Sequence, residues 1–222
     1  MRRCVAAVVL LSLLSGGLSA PLSRCDSLVK PITLSKEDLL GRWLYIGGTS
    51  NLPGSRSVIH LLTSVWVNFN ATAQSNVLEL IQSQRIFGKC SSITFNMAFE
   101  NSTLSLEQPF HLKEVYLPTS CSDCLVVYED VTFGKDAFTS LMLFSRRQSV
   151  SPDVVEAFKT QAECLRMLTP IMIDTDYEIC PVDASPTDGL SGIQAVTSLF
   201  EATMGIGVGL GLLDSFFDTF VN

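Results

Sequence analysis

Apolar and polar residues alternate with a period of two through much of the first two-thirds of the chain, most clearly over residues 59–69. There Leu61, Thr63, Val65, Val67 and Phe69 share one face, and Ser64, Asn68 and Asn70 fall on the other, the pattern of a half-buried strand. Asn70 opens a glycosylation sequon and is assigned to solvent, so the odd positions face inward. Trp66 then points outward and needs a cover, for which a later helix is the candidate. Similar runs fall at 42–49, 77–87, 90–99, 103–107, 110–117, 125–130 and 138–146, with turn signals every ten residues or so. The first contains Gly41-Arg42-Trp43-Leu44-Tyr45-Ile46-Gly47, with Trp43 and Tyr45 on one face and Leu44 and Ile46 on the other. A short helix is expected at 35–40 and a loop at 50–57. Eight such strands favour an antiparallel meander closed into an up-and-down barrel, because closure removes exposed edges.

The period then changes. Ser151-Pro152-Asp153 supplies an N-cap with proline at the first helical position. Val154, Val155, Phe158, Ala162 and Leu165 recur at helical spacing through Leu168, and Pro170 is expected to stop the helix, which would pack outside the barrel. Residues 183–192 read as a Ser/Pro/Asp/Gly linker. Residues 193–222 read as an apolar amphipathic tail whose uncharged run between Glu201 and Asp214 is too short to span a bilayer. Asp214 and Asp218 interrupt what would be the hydrophobic end of a lipid-anchor signal. Contact of this tail with lipoprotein, a membrane surface or a protein partner is one reading, and a poorly ordered terminus is the other.

Residues 1–20 have the form of a secretory signal: Arg2 and Arg3, an apolar run at 5–14, then small residues. Pro21 after Ala20 is awkward for the peptidase, so Gly17 and Ser19 are alternative last residues. The expected location is extracellular, with residues 21–182 as the barrel domain. The whole chain carries −7; loss of two arginines takes Lys plus Arg from 15 to 13 against 22 acids, near −9. Such a charge, without a basic run, argues against nucleic acid as a partner. Of seven cysteines, Cys4 leaves with the signal. The remaining Cys25, Cys90, Cys121, Cys124, Cys164 and Cys180 are an even set for an oxidising compartment. Cys121-x-x-Cys124 also admits a redox or metal reading, but without a second such pair and with two histidines zinc is disfavoured, and no metal or cofactor is expected. Asn70 and Asn101 head the two sequons.

Over residues 25–180 the chain resembles the lipocalins. The resemblance rests on Gly41-x-Trp43, the meander, Phe144-Ser145-Arg146-Arg147 ahead of a helix, and the cysteine layout. It is most similar to the apolipoprotein M and alpha-1-acid glycoprotein branch. Val155-Glu156-Ala157-Phe158-Lys159 followed by Cys164 and Cys180 carries that likeness, as does Glu114-Val115-Tyr116 ahead of Ser120-Cys121. Fish saxitoxin/tetrodotoxin-binding and tributyltin-binding proteins belong to this neighbourhood. The resemblance implies a calyx open at one end to a small lipophilic or amphipathic ligand, with Trp43 at the closed end covered by Arg146 in a structural role. It implies the pairs Cys25–Cys164 and Cys90–Cys180. Apolipoprotein M pairs the counterpart of Cys121 with a helix cysteine, but that position is Val154 here, so Cys121–Cys124 is expected instead.

Strand parity assigns the calyx lining. The candidates are Tyr45, Val65, Val67, Phe69, Leu80, Gln82, Phe95, Met97, Leu112, Glu114, Tyr116, Val127, Glu129, Met142 and Phe144, with Leu78, Ile93, Leu104, Leu106, Phe110 and Leu125 also inward. For each apolar position ordinary core packing is the competing reading. A sphingosine-phosphate carrier like apolipoprotein M needs arginines for the phosphate, and their positions are Ile93, Pro109 and Ser140; only the acid has a counterpart, Glu129. A phosphate without a cation in a low-dielectric pocket is costly, so neutral or cationic amphiphiles are expected, bound reversibly by a secreted carrier. No enzyme is expected: no cysteine is assigned to the interior, and His60 and His111 have no nucleophile beside them.

Overall fold

A computed structural model describes residues 24–86, 88–174 and 178–181. The expected leader, linker and tail lie outside the described residues. The elements, in order, are α1 (Arg24–Leu28), α2 (Lys36–Leu39), β1 (Gly41–Ser50), α3 (Ser55–Leu61), β2 (Leu62–Ala71), β3 (Val77–Ile86) and β4 (Lys89–Glu100). They continue with β5 (Thr103–Leu106), β6 (His111–Leu117), β7 (Cys124–Phe133), β8 (Asp136–Ser145), α4 (Pro152–Cys164) and β9 (Ile171–Met172).

Strands β1 to β8 form a closed antiparallel barrel, each pairing with its neighbour in sequence. Closure falls to β1, which pairs with β2 from Gly41 to Leu44 and with β8 from Leu44 to Ser50. A register shift between Tyr45 and Gly47 lets one strand serve both partners. The short β9 adds to β1 from outside at Gly47 and Gly48. A Cβ on Gly47 would lie 2.6 Å from the Ile171 carbonyl oxygen, so glycine is what admits this strand.

The chain packs in two layers. Inside the barrel, Trp43, Tyr45, Val67, Phe69, Leu78, Met97, Leu104, Tyr116, Leu125, Val127 and Phe144 form the inner cluster. Outside, α4 lays Val154, Phe158 and Ala162 over Ile46, Leu117, Val126, Leu141 and Leu143, the opposite faces of β1, β6, β7 and β8. Gln161, buried in that layer, donates from Nε2 to the carbonyls of Leu28 and Pro118. Three disulfides are present: Cys25–Cys164 ties α1 to α4, Cys90–Cys180 ties β4 to the segment after β9, and Cys121–Cys124 closes the turn before β7.

Three expectations are corrected. Residues 59–61 are not strand, nor 55–57 loop: Gly54, at φ +82°, leads into helix α3. Ser55, Ile59 and Leu62 are spaced four and three apart and line one cavity wall, so this short apolar run satisfies both periods and the helix wins. Helix α4 ends at Cys164 rather than continuing to Leu168. Arg166 turns left-handed at φ +58°, and the Met167 and Arg166 amides bond back to the Ala162 and Glu163 carbonyls. Finally, Trp66 is covered not by α4 but by the C-terminal segment, donating from its indole N–H to the Cys180 carbonyl at 2.9 Å, with no exposed surface. The Arg42 guanidinium lies 6.0 Å from its ring.

At the closed end Trp43 is 3 % exposed and donates from Nε1 to the Leu39 carbonyl at 2.7 Å. The Arg146 guanidinium stacks 3.5 Å from the Trp43 ring and donates to the carbonyls of Leu40 and Arg42. Arg146 thereby joins the end of β8 to the start of β1. Arg146→Ala is expected to lower stability by about 1–2 kcal/mol, the sum of a partly exposed cation–π contact and two charge-assisted hydrogen bonds. Urea denaturation checks it; a loss below about 0.5 kcal/mol, within the range of ordinary surface substitutions, would mean the stack contributes nothing.

Candidate functional site

A cavity of about 330 Å³ occupies the barrel interior toward its open end, and a second of about 60 Å³ lies deeper, sharing Val67, Leu80, Gln82, Glu114, Glu129, Met142 and Phe144 with it. The larger is near the lower end of the usual range for small-molecule sites, ~300–1,000 Å³. Of the positions assigned by parity, Tyr45, Val65, Val67, Leu80, Gln82, Phe95, Met97, Leu112, Glu114, Glu129, Met142 and Phe144 line the main cavity. Phe69, Tyr116 and Val127 line only the deeper one. Ile93, Leu106 and Phe110 also reach the main cavity and Leu125 the deeper one, while Leu78 and Leu104 are fully buried core. Phe95 and Phe110 meet edge to face at 6.1 Å, as do Tyr45 and Phe144 at 5.6 Å.

Parity also misses residues. Gln84, Val131, Phe138 and Ser140 line the cavity in phase with Gln82, Glu129 and Met142, so extending the same alternation toward the mouth would have found them. Ser55 could not be found this way, because it stands on α3, nor could Ser50, which follows the irregularity in β1; Ile59, an odd position of the expected strand, reaches the cavity from α3 instead. Thr49 and Leu52 complete this side.

Two acids face this apolar interior. Glu114 on β6 and Glu129 on β7 are direct cross-strand partners. Glu114 is 7 % exposed, and Tyr116, two residues along the same face, donates its hydroxyl to Glu114 Oε2 at 3.4 Å. Burial pushes the Glu114 carboxyl up to about 7, against the smaller opposing effect of the Tyr116 hydrogen bond. Burial first, then the Glu114 and Asp130 charges, push Glu129 up to about 8. Two like charges on adjacent strands in a low-dielectric site favour holding a proton between them. Burial likewise raises Tyr45, and burial followed by the Glu114 charge raises Tyr116, so both phenols stay neutral. No Lys, Arg or His is among the described residues that line the cavity.

The other chemistry is accounted for. All six cysteines among the described residues are in disulfides, so the cluster of Cys121, Asp123 and Cys124 has no thiolate to offer a metal. His111 is exposed and bonds Glu107 at 2.8 Å, and His60 stands on α3. Neither lines the cavity.

Carboxyls raised in the folded state bind more protons there than in the unfolded chain. Their stabilising contribution is therefore complete below the unfolded value near 4.5 and is lost as pH rises through 7 to 8. The ligand-free protein is expected to lose several kcal/mol, at most about 6, between pH 5 and pH 8 from this pair. Urea denaturation of the Glu114→Gln/Glu129→Gln variant across that range is expected to show a flatter profile. Parallel profiles for variant and parent would place both carboxyls in solvent.

Among solved structures, the siderocalin Ex-FABP matches with a TM-score of 0.57 at 13 % identity, over 65 % of this chain and 99 % of that one, a likeness of fold. Human epididymal-specific lipocalin-6 is 25 % identical over 138 residues, 61 % of this chain and 84 % of that protein. The ApoM domain model matches residues 12–184, most of the chain, and with the closed barrel, outer helix and inner cavity this shows that the protein belongs to the ApoM family within the lipocalins.

Proposed function

We propose that the protein is a secreted carrier that reversibly binds a small neutral or cationic amphiphile inside the barrel and does not transform it. One observation carries the reading: an apolar cavity whose charged lining is the Glu114–Glu129 pair, with no cationic side chain among its described residues. An anionic head would meet those carboxylates with nothing to neutralise it, whereas a monocation balances the single charge left when the pair shares a proton. Apolar burial supplies most of the affinity, at roughly 25 cal/mol per Å². This argues against a lipid phosphate as cargo and favours small bases with an apolar body. Secretion is supported by the form of residues 1–20 and by three disulfides. Asn70 at the end of β2 and Asn101 in the β4–β5 turn lie toward the closed end, so glycans there would leave the mouth clear. Lipoprotein or membrane-surface contact through 193–222 rests on the apolar sequence of that segment, and its deletion followed by vesicle flotation tests it.

A cation competes with the proton shared by the two glutamates. Binding of n-octylamine, followed by calorimetry, is expected to tighten at least about tenfold from pH 6 to pH 8, and to release protons. Glu129→Gln should weaken it and flatten the pH profile. Tighter binding of octanoate than of octylamine would overturn the reading.

A further inference from the structure

The two cavities do not run together as one channel. A side chain that walls both stands at the boundary between them, and the boundary set includes Met142 and Phe144 in phase on β8, with Val67 on β2 and Leu80 on β3. Together they form a waist across the barrel. Phe144 is its fixed part. It is buried, it is the cross-strand partner of Tyr45 and Leu125, and it meets the Tyr45 ring edge to face at 5.6 Å. Tyr45 in turn lies over Gly48, where a Cβ would stand 2.5 Å from the phenol oxygen. Met142 is the adaptable part. Its partners across the strands are Val127 and Gly48, a glycine that brings no side chain of its own, and a thioether bends to fill the space left. Above the waist the cavity measures about 330 Å³; below it, where Phe69, Tyr116 and Val127 join the lining, about 60 Å³.

We propose that Met142 and Phe144 set the length of ligand that the barrel takes, by ending the space that is open from the mouth. The inference rests on the carrier reading above and adds a size to it: a compact apolar body rather than a long lipid chain. At ~30 Å³ for each non-hydrogen atom, the share of a water molecule in the liquid, the main cavity houses about eleven such atoms and the deeper one about two. An apolar tail entering at the mouth gains burial with each carbon until it meets the waist. Further carbons stay outside the rim, in water, and add nothing. Passing the waist would cost the Tyr45–Phe144 contact or the packing of Met142, in return for room for about two carbons. The limit is one of shape, so it holds for a neutral ligand as well as for a charged one.

The test is calorimetry with n-alkyl maltosides from hexyl to tetradecyl, below their micelle concentrations, on the full secreted protein and on Met142→Ala and Phe144→Leu. The disaccharide has more atoms than the main cavity houses and stays at the mouth, so the alkyl tail measures depth. At pH 5 both glutamates hold their protons, and the measurement reads shape without charge. Affinity for the parent should rise about fourfold for each carbon, the worth of a buried methylene, and level off between decyl and dodecyl. In each variant the rise should continue for at least about two carbons more, so that tetradecyl maltoside binds at least about tenfold tighter than to the parent. Hexyl maltoside, too short to reach the waist, should bind parent and variants within about twofold, which also shows that the variants are folded. Affinity for the parent that climbs without a break to tetradecyl overturns the inference. A plateau at the parent's length in both variants overturns its assignment to these two residues. Binding of octylamine at pH 8 without binding of any maltoside overturns this inference alone, whereas failure of both overturns the carrier reading with it.

Discussion

Strand β1 is shared between two partners, β2 along its first half and β8 along its second, and that sharing turns a meander into a barrel. A sheet of eight twisted strands left open would expose two long edges, and the whole interior would be solvent-accessible. The clasp at the start of β1 reinforces the closure. Trp43 fills the end of the barrel, and Arg146 from the end of β8 lies on its ring while satisfying two carbonyls at the beginning of β1. Beyond this floor the interior is not filled, and the chain keeps a cavity where a tighter set of side chains would have given more burial energy.

What that cavity contains follows from closure. A glutamate on a flat sheet faces water at little cost, but two glutamates on adjacent strands inside a barrel face each other and an apolar wall. Their ionisation is opposed by burial and by one another, so they are poised to charge within the neutral range. The pair thereby costs the protein stability as pH rises through the neutral range, a compromise common at functional sites. The outer layer offsets part of the cost. Helix α4 covers one side of the barrel, the segment carrying Cys180 covers Trp66, and disulfides hold both at long sequence separations.

The strands, the outer helix and the alternation that turns Glu114, Glu129 and most of the lining inward were legible in the sequence, because side-chain direction in a strand has a period of two and a barrel has one inside. Gly41-x-Trp43 and the arginine after β8 were legible through resemblance. Three things were not. Helix α3 was hidden because its short apolar run fits either period, and Leu168 fell outside α4 because a left-handed Arg166 carries no sequence mark comparable to glycine. The covering of Trp66 by the Cys180 segment is a contact across more than a hundred residues, which periodicity cannot encode. The row of successive cross-strand partners Glu114, Glu129, Ser140 and Ser50 is of the same kind. Local sequence determines which face each residue takes, but the height at which one strand meets the next depends on every turn and bulge between them, so only the closed tertiary structure decides that two acids and two serines stand level around one cavity.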